Sequence, residues 1–110
     1  MQGWWEFVFV KVYQYHIETG KEQEFIEIQE KAAEIYHKYV NFHTTCLKSN
    51  DNPTKWMEIS WYESEKIYEK SISIINEQKE IQELYKRFQS VLASDQHEIS
   101  EENFLQIKEI

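Results

Sequence analysis

Residues 4–17 read as one long strand, rich in aromatic and β-branched side chains. One parity holds Trp5, Phe7, Phe9, Lys11, Tyr13 and Tyr15, and the other Trp4, Glu6, Val8, Val10, Val12, Gln14 and His16. Both parities carry an apolar block, so the middle of the strand is expected to be covered on both faces. The spacing then turns helical. Phe25, Ile28, Ala32, Ile35, Tyr36 and Tyr39 recur along one stripe, with Glu and Lys opposite, and predict a helix over 20–38. Thr19-Gly20-Lys21-Glu22 reads as its capping box.

Residues 40–48 predict a second strand and 55–62 a third. They are joined through the polar turn cluster Ser49-Asn50-Asp51-Asn52-Pro53. Ser64 is the expected N-cap of a short helix over 65–72 carrying Ile67, Tyr68 and Ile72. Asn76 is the expected cap of a longer helix over 77–93, whose stripe is Ile81, Leu84, Tyr85, Phe88, Val91 and Leu92. A last strand around 103–109 carries Phe104, Leu105 and Ile107. The order β-α-β-β-α(α)-β is the ferredoxin-like α+β pattern, an antiparallel four-stranded sheet with helices on one face. The two-sided first strand then calls for a partner on the other face. Two sheets packed face to face satisfy it, as a homodimer with a shared dimeric α+β barrel interior.

Composition narrows the setting. The 110 residues fit a single domain, 1–110, without repeats or linkers. Twelve basic residues against twenty acidic give a net charge of −8, which disfavours nucleic acid and anionic membrane as partners. No apolar run approaches the roughly 20 residues of a membrane-spanning helix. The amino end lacks the pattern of a secretory signal. The single cysteine, Cys46, fits a reducing compartment, so a cytoplasmic location is expected.

Three segments carry a family likeness. Ile17-Glu18-Thr19-Gly20-Lys21-Glu22-Gln23-Glu24-Phe25 resembles the turn that opens the first helix of antibiotic-biosynthesis-monooxygenase-like (ABM) domains, with Thr19 where proline is usual. Asn52-Pro53-Thr54-Lys55-Trp56 resembles their hairpin turn. The stretch from Glu58 to Tyr68 resembles their strand-to-helix segment, with Tyr62 at the usual tryptophan place. The likeness implies a dimeric α+β barrel. By activity it implies a cofactor-independent monooxygenase acting on a small phenol- or quinol-type aromatic. Haem-degrading relatives use an asparagine, a tryptophan and a histidine where this chain has Tyr13, Ser71 and Tyr85, which disfavours that activity here. The histidine-bearing stretch of small quinol monooxygenases corresponds to residues 69–73, which contain no histidine.

Strand three divides into an apolar set, Met57, Ile59 and Trp61, and a mixed set, Trp56, Glu58, Ser60 and Tyr62. The apolar set is expected under the helices and the mixed set in the barrel interior. Apolar walls with a few fixed polar groups are what a small planar ligand needs. Glu58 is the candidate general base on a phenolic hydroxyl. The competing reading pairs it with Lys11 or another strand cation, or leaves it at an open rim. His43, from the set Asn41, His43, Thr45 and Leu47, is the second acid/base candidate, against an ordinary hydrogen-bonded wall histidine. Trp56 and Tyr62 are candidate ring-positioning walls, with Ser60 and Tyr13 as further ligand contacts. Tyr13, Tyr15 and Trp5 either line the cavity or fill the core and dimer seam. Cys46 reads as a buried, inert thiol. The four histidines lack metal-ligand spacing, and with only Gly3 and Gly20 no phosphate-cradling loop is expected. Two functions stand: the cofactor-free monooxygenase, and a non-catalytic dimeric module that binds or senses a small hydrophobic ligand.

Overall fold

Pairing along the first strand organises the protein. A computed structural model describes residues 7–110, so the expectations for residues 4–6, Trp5 among them, lie outside the described residues. Strand β1 (Phe9–His16) is central and pairs antiparallel with β3 (Lys55–Tyr62) on one side and β4 (Ser100–Leu105) on the other. Strand β2 (Phe42–Lys48) adds outside β3, giving the order β2-β3-β1-β4, the ferredoxin-like arrangement. Three helices connect the strands: α1 (Glu22–Tyr36), α2 (Glu65–Ile75) and α3 (Lys79–Val91).

All three helices pack on the same face of the sheet. Phe25 of α1 meets the Trp56 ring at 4.9 Å, Tyr68 of α2 meets Tyr62 at 4.7 Å, and Phe88 of α3 meets Tyr15 at 5.0 Å. By alternation the helix-covered face carries Phe9, Lys11, Tyr13 and Tyr15 with Trp56, Glu58, Ser60 and Tyr62. This reverses the expected assignment of strand three. Met57, Ile59 and Trp61 lie on the face turned away from the helices, with Val10 and Val12 beside them. Five of the six Phe, Tyr and Trp rings on these two strands, Phe9, Tyr13, Tyr15, Trp56 and Tyr62, thus lie between the sheet and its helices, and Val10, Val12, Met57 and Ile59 are left with Trp61 on the other face.

Local chemistry explains the ends of the elements. Gly20, at φ +89°, takes the left-handed conformation in the turn before α1. Only half of the expected capping box forms. Glu22 Oε1 accepts from the Gly20 N–H at 3.1 Å, whereas Lys21 is the N-cap and makes no side-chain cap bond. Ser64 caps α2 as expected, its Oγ accepting from the Ile67 N–H at 3.1 Å. Helix α2 runs on to Ile75, which is fully buried, so Asn76 ends this helix instead of capping the next. Strand β4 starts three residues earlier than the apolar pattern suggests. Its residues 100–103 are polar and exposed, and an edge strand can be held through backbone pairing without an apolar signature.

Phe25 is the anchor of the core, fully buried against Tyr15, Trp56 and Phe88. Replacing it with alanine is expected to cost about 3–5 kcal/mol, because a large cavity would open between sheet and helices. Urea denaturation of Phe25→Ala against the parent measures this directly, and a loss below about 1 kcal/mol would contradict the packing described.

Candidate functional site

The core does not fill the space between sheet and helices. Large rings cluster at two ends: Tyr15, Trp56, Phe25 and Phe88 at one, and Phe9, Tyr62, Tyr68 and Phe42 at the other. Between them the lining is small on several sides, with Ala32 and Ala33 on α1 and Thr44 and Ser60 on the sheet. The result is a partly open cavity of about 500 Å³, within the range of small-molecule sites.

Glu58 lies on its floor. Tyr15 donates its hydroxyl to Glu58 Oε1 at 2.7 Å, and Gln29 Nε2 donates to the same oxygen at 3.0 Å. Gln29 also donates to the Tyr15 oxygen at 3.3 Å, so the three side chains form a closed triangle. Both protein hydrogen bonds thus fall on Oε1, which leaves Oε2 for a bound molecule. Burial raises the Glu58 carboxyl above its ordinary range, while the Tyr15 and Gln29 hydrogen bonds act in the opposite direction by favouring the anion. Burial likewise pushes the Tyr13, Tyr15, Tyr36 and Tyr62 hydroxyls upward, so they remain protonated donors. The Cys46 thiol, opposite Glu58 on β2, is pushed up to about 12 by burial and then by the neighbouring carboxylate. That is an unreactive thiol.

The sequence-derived candidates separate. Glu58, Ser60, Tyr62 and Tyr13 all line the cavity. Trp56 shares their strand face but is buried against Phe25 and lies outside the lining. His43 does not face the cavity. It is exposed, opposite Trp61, with its ring 5.6 Å from that indole. Register explains the reversal: Glu58 stands opposite Cys46, so Cys46, Thr44 and Phe42 share its face and His43 takes the other. The cavity also lies inside one chain, between sheet and helices, instead of in a space shared by two sheets. Lys11 is not the partner of Glu58. Its Nζ donates to Glu101 Oε2 at 3.2 Å and Asn103 Oδ1 at 2.8 Å.

Gln29 was not foreseen. Its signal was a polar residue four positions after Phe25, inside the apolar stripe and one residue past Ile28. Tyr15, foreseen only as wall or filler, is the hydroxyl that holds Glu58. Among the described residues no group of three or more His, Cys, Asp or Glu is placed to hold a metal ion. The described lining contains no Lys, Arg or His, and therefore no side-chain cation to clamp a nucleotide phosphate. No described helix is long and apolar enough to cross a membrane.

A half-buried carboxyl with a raised pKa has a definite sign in stability. Between the ordinary carboxyl value of 4.5 and the raised folded value, the unfolded chain has lost the proton that the folded chain still holds. Stability therefore falls as pH rises through this window, and Glu58→Gln removes that contribution. Denaturation across pH 4–8 is expected to show the variant gaining on the parent as pH increases; a difference independent of pH would place the Glu58 pKa in the ordinary range.

No protein-family model matches the chain, and no curated protein sequence matches it. Solved structures do. A variant of SnoaB, a cofactor-independent oxygenase from Streptomyces nogalater, superimposes with a TM-score of 0.72 at 12% identity, over 93% of this chain and 95% of that one. A candidate antibiotic biosynthesis monooxygenase from Nitrosomonas europaea gives 0.70 at 16% identity, over 97% and 94%. A NIPSNAP domain protein from Burkholderia xenovorans gives 0.65 at 17%, over 92% and 94%. The ABM-like fold is thereby shown, and at these identities the likeness extends to the fold alone.

Proposed function

We propose that this protein binds a small phenol- or quinol-type aromatic in the cavity between sheet and helices and oxidises it as a cofactor-independent monooxygenase. The observation that carries the reading is Glu58, a carboxyl held by Tyr15 and Gln29 on an aromatic-walled floor with one oxygen left over. Similarity in fold to a cofactor-independent oxygenase supports it.

The chemistry uses the substrate as its own electron source. Glu58 Oε2 takes the phenolic proton, and the phenolate ring carbon para to the oxygen bonds to dioxygen, forming a peroxide that takes the proton back from Glu58 and becomes a hydroperoxide on that carbon. Loss of the hydrogen on the same carbon, with cleavage of the O–O bond, leaves a quinone carbonyl. The departing hydroxide takes up a proton and leaves as water. One oxygen atom ends in the product and one in water, and the four electrons come from the ring. Tyr62 and Tyr13 bound the ring, and the protonated tyrosine hydroxyls act as hydrogen-bond donors to the developing oxyanion.

One observation favours a second reading. The described cavity lining has no histidine, and His43 lies on the other face, which suits a non-catalytic ligand-binding or sensing module that needs no acid/base pair. Oxygen-electrode assays with a panel of phenols and hydroquinones decide between the two. Turnover by the parent, lowered about 100-fold or more in Glu58→Gln with ligand binding retained, is the expected result. Binding without oxygen uptake would establish the module instead, and the absence of binding would sink both.

The sheet face turned away from the helices carries Val10, Val12, Ile59, Met57 and Trp61, an apolar face that supports pairing of two copies in a homodimer. Light scattering across dilution is expected to give twice the chain mass, and Ile59→Glu to give the monomer. A parent protein that is monomeric throughout would refute the pairing. A net charge of −8 favours a small molecule over nucleic acid or anionic membrane as ligand, and a reduced Cys46 suits the cytoplasm.

A further inference from the structure

Both hydrogen bonds that hold Glu58 arrive at the same oxygen. Tyr15 donates to Oε1 at 2.7 Å, and Gln29 Nε2 donates to it at 3.0 Å. Oε2 has no partner among the described residues, yet it is not sealed off. Among those residues the indole nitrogen of Trp56 is the one fully buried side-chain polar atom left unpaired. Glu58 lines the cavity, so Oε2 is reached from inside it.

This arrangement fixes where a proton can sit. An oxygen that already receives two hydrogens has no room for a third, and the donors are not free to turn round. The Tyr15 oxygen accepts from Gln29 at 3.3 Å, so its single hydrogen goes to Glu58, and an amide N–H only donates. When Glu58 is neutral, its proton therefore lies on Oε2, and the group is a hydrogen-bond donor to the cavity. When Glu58 is ionised, Oε2 is purely an acceptor.

A phenol fits both states, because its hydroxyl donates to the carboxylate and accepts from the acid. An aromatic carbonyl fits only one. Facing the acid, it accepts a hydrogen bond. Facing the carboxylate, it sets one acceptor against another, with both taken out of water. Under the proposed oxidation the phenolic oxygen beside Glu58 ends as a quinone carbonyl, so substrate and product present these two cases at the same place.

Resting on the proposed site, we infer that Glu58 makes the cavity a proton-dependent discriminator: aromatic carbonyl compounds bind only with Oε2 protonated, whereas phenols bind in both states. An ionised Glu58 then keeps the phenol and expels the carbonyl product. Burial raises the Glu58 carboxyl, which moves this exchange of roles upward from the usual carboxylate range. The hydroxyls and the thiol around it stay protonated: Tyr13 and Tyr15 on β1, Cys46 on β2, Tyr62 on β3 and Tyr36 on α1 are all pushed upward by burial. Helix α2 brings Tyr68, also raised by burial, and α3 brings Tyr85 to the same lining. From β4 comes Glu101, paired with Lys11 at 3.2 Å.

Two bicyclic probes test this: 1-naphthol, with a hydroxyl and an unsubstituted para carbon, and 1-tetralone, with a carbonyl alone. Calorimetric titrations of the unmodified protein, run without oxygen, cover about pH 5 to about pH 9. Above the Glu58 pKa, 1-tetralone is expected to lose affinity by up to about tenfold per pH unit. It is also expected to take up a proton on binding, read from buffers of different ionisation enthalpy. 1-Naphthol is expected to hold its affinity to about pH 8 and to take up no proton. In Glu58→Gln, Tyr15 and Gln29 hold the amide oxygen and leave the amide nitrogen as a permanent donor. Binding of 1-tetralone is then expected to be independent of pH. Flat 1-tetralone binding across pH in the parent overturns the inference and leaves the aromatic site standing, as does a pH dependence that survives in Glu58→Gln. The proton uptake in the parent decides the matter even where the variant folds poorly. Failure of both probes to bind at millimolar concentration overturns the inference and the proposed site together.

Discussion

The register of β1 against β3 is the constraint on which the rest of this structure depends. It sets Tyr15 opposite Trp56, Tyr13 opposite Glu58 and Lys11 opposite Ser60, all on the face beneath the helices. Side chains alternate with a period of two, so a slip of one residue would exchange this set with Val10, Val12, Met57, Ile59 and Trp61. The carboxyl would then leave the cavity, and Tyr15 could no longer reach it. Aromatic packing holds the register from above, because Phe25 contacts Tyr15 and Trp56 together, joining the two strands through one helix.

From that register follows the division of the interior. The end rows of the sheet carry large rings that pack onto α1, α2 and α3 and close the core. The middle rows carry Glu58 with Tyr13, and Ser60 with Thr44 and Lys11. Ser60 and Thr44 hydrogen-bond one another at 2.9 Å, so neither small hydroxyl is stranded by burial. Facing these rows α1 presents Ala32 and Ala33, and space remains where rings would otherwise meet. The same polar middle that would weaken an ordinary core supplies the polar groups that line the cavity.

Burying Glu58 is unfavourable to its charge, and the structure compensates with neutral donors instead of a cation. Tyr15 and Gln29 favour the anion through their hydrogen bonds, while burial, the larger effect, raises the carboxyl above its ordinary range. Pairing with Lys11 would have locked it in the ionised form. Lys11 is drawn instead to Glu101 and Asn103 on β4, its neighbour on the opposite side of β1 from Glu58.

By itself the sequence determined the element order, the buried stripes of the helices and the parity sets of the strands, because these follow from residue spacing along a single chain. Glu58, Ser60, Tyr62 and Tyr13 were legible as one group for this reason: three share a strand parity, and Tyr13 lies on the more aromatic parity of β1. Tertiary structure alone decided which parity the helices cover, and with it the location of the cavity within one chain. It also decided the pairing between strands, which turned His43 away from Glu58, withdrew Trp56 into the core and brought Gln29 from α1 onto a carboxyl 29 residues distant. Periodicity assigns side chains to faces but does not say which face of one strand joins which face of the next. Register and helix docking answer that, and both are set by contacts between residues far apart in the chain.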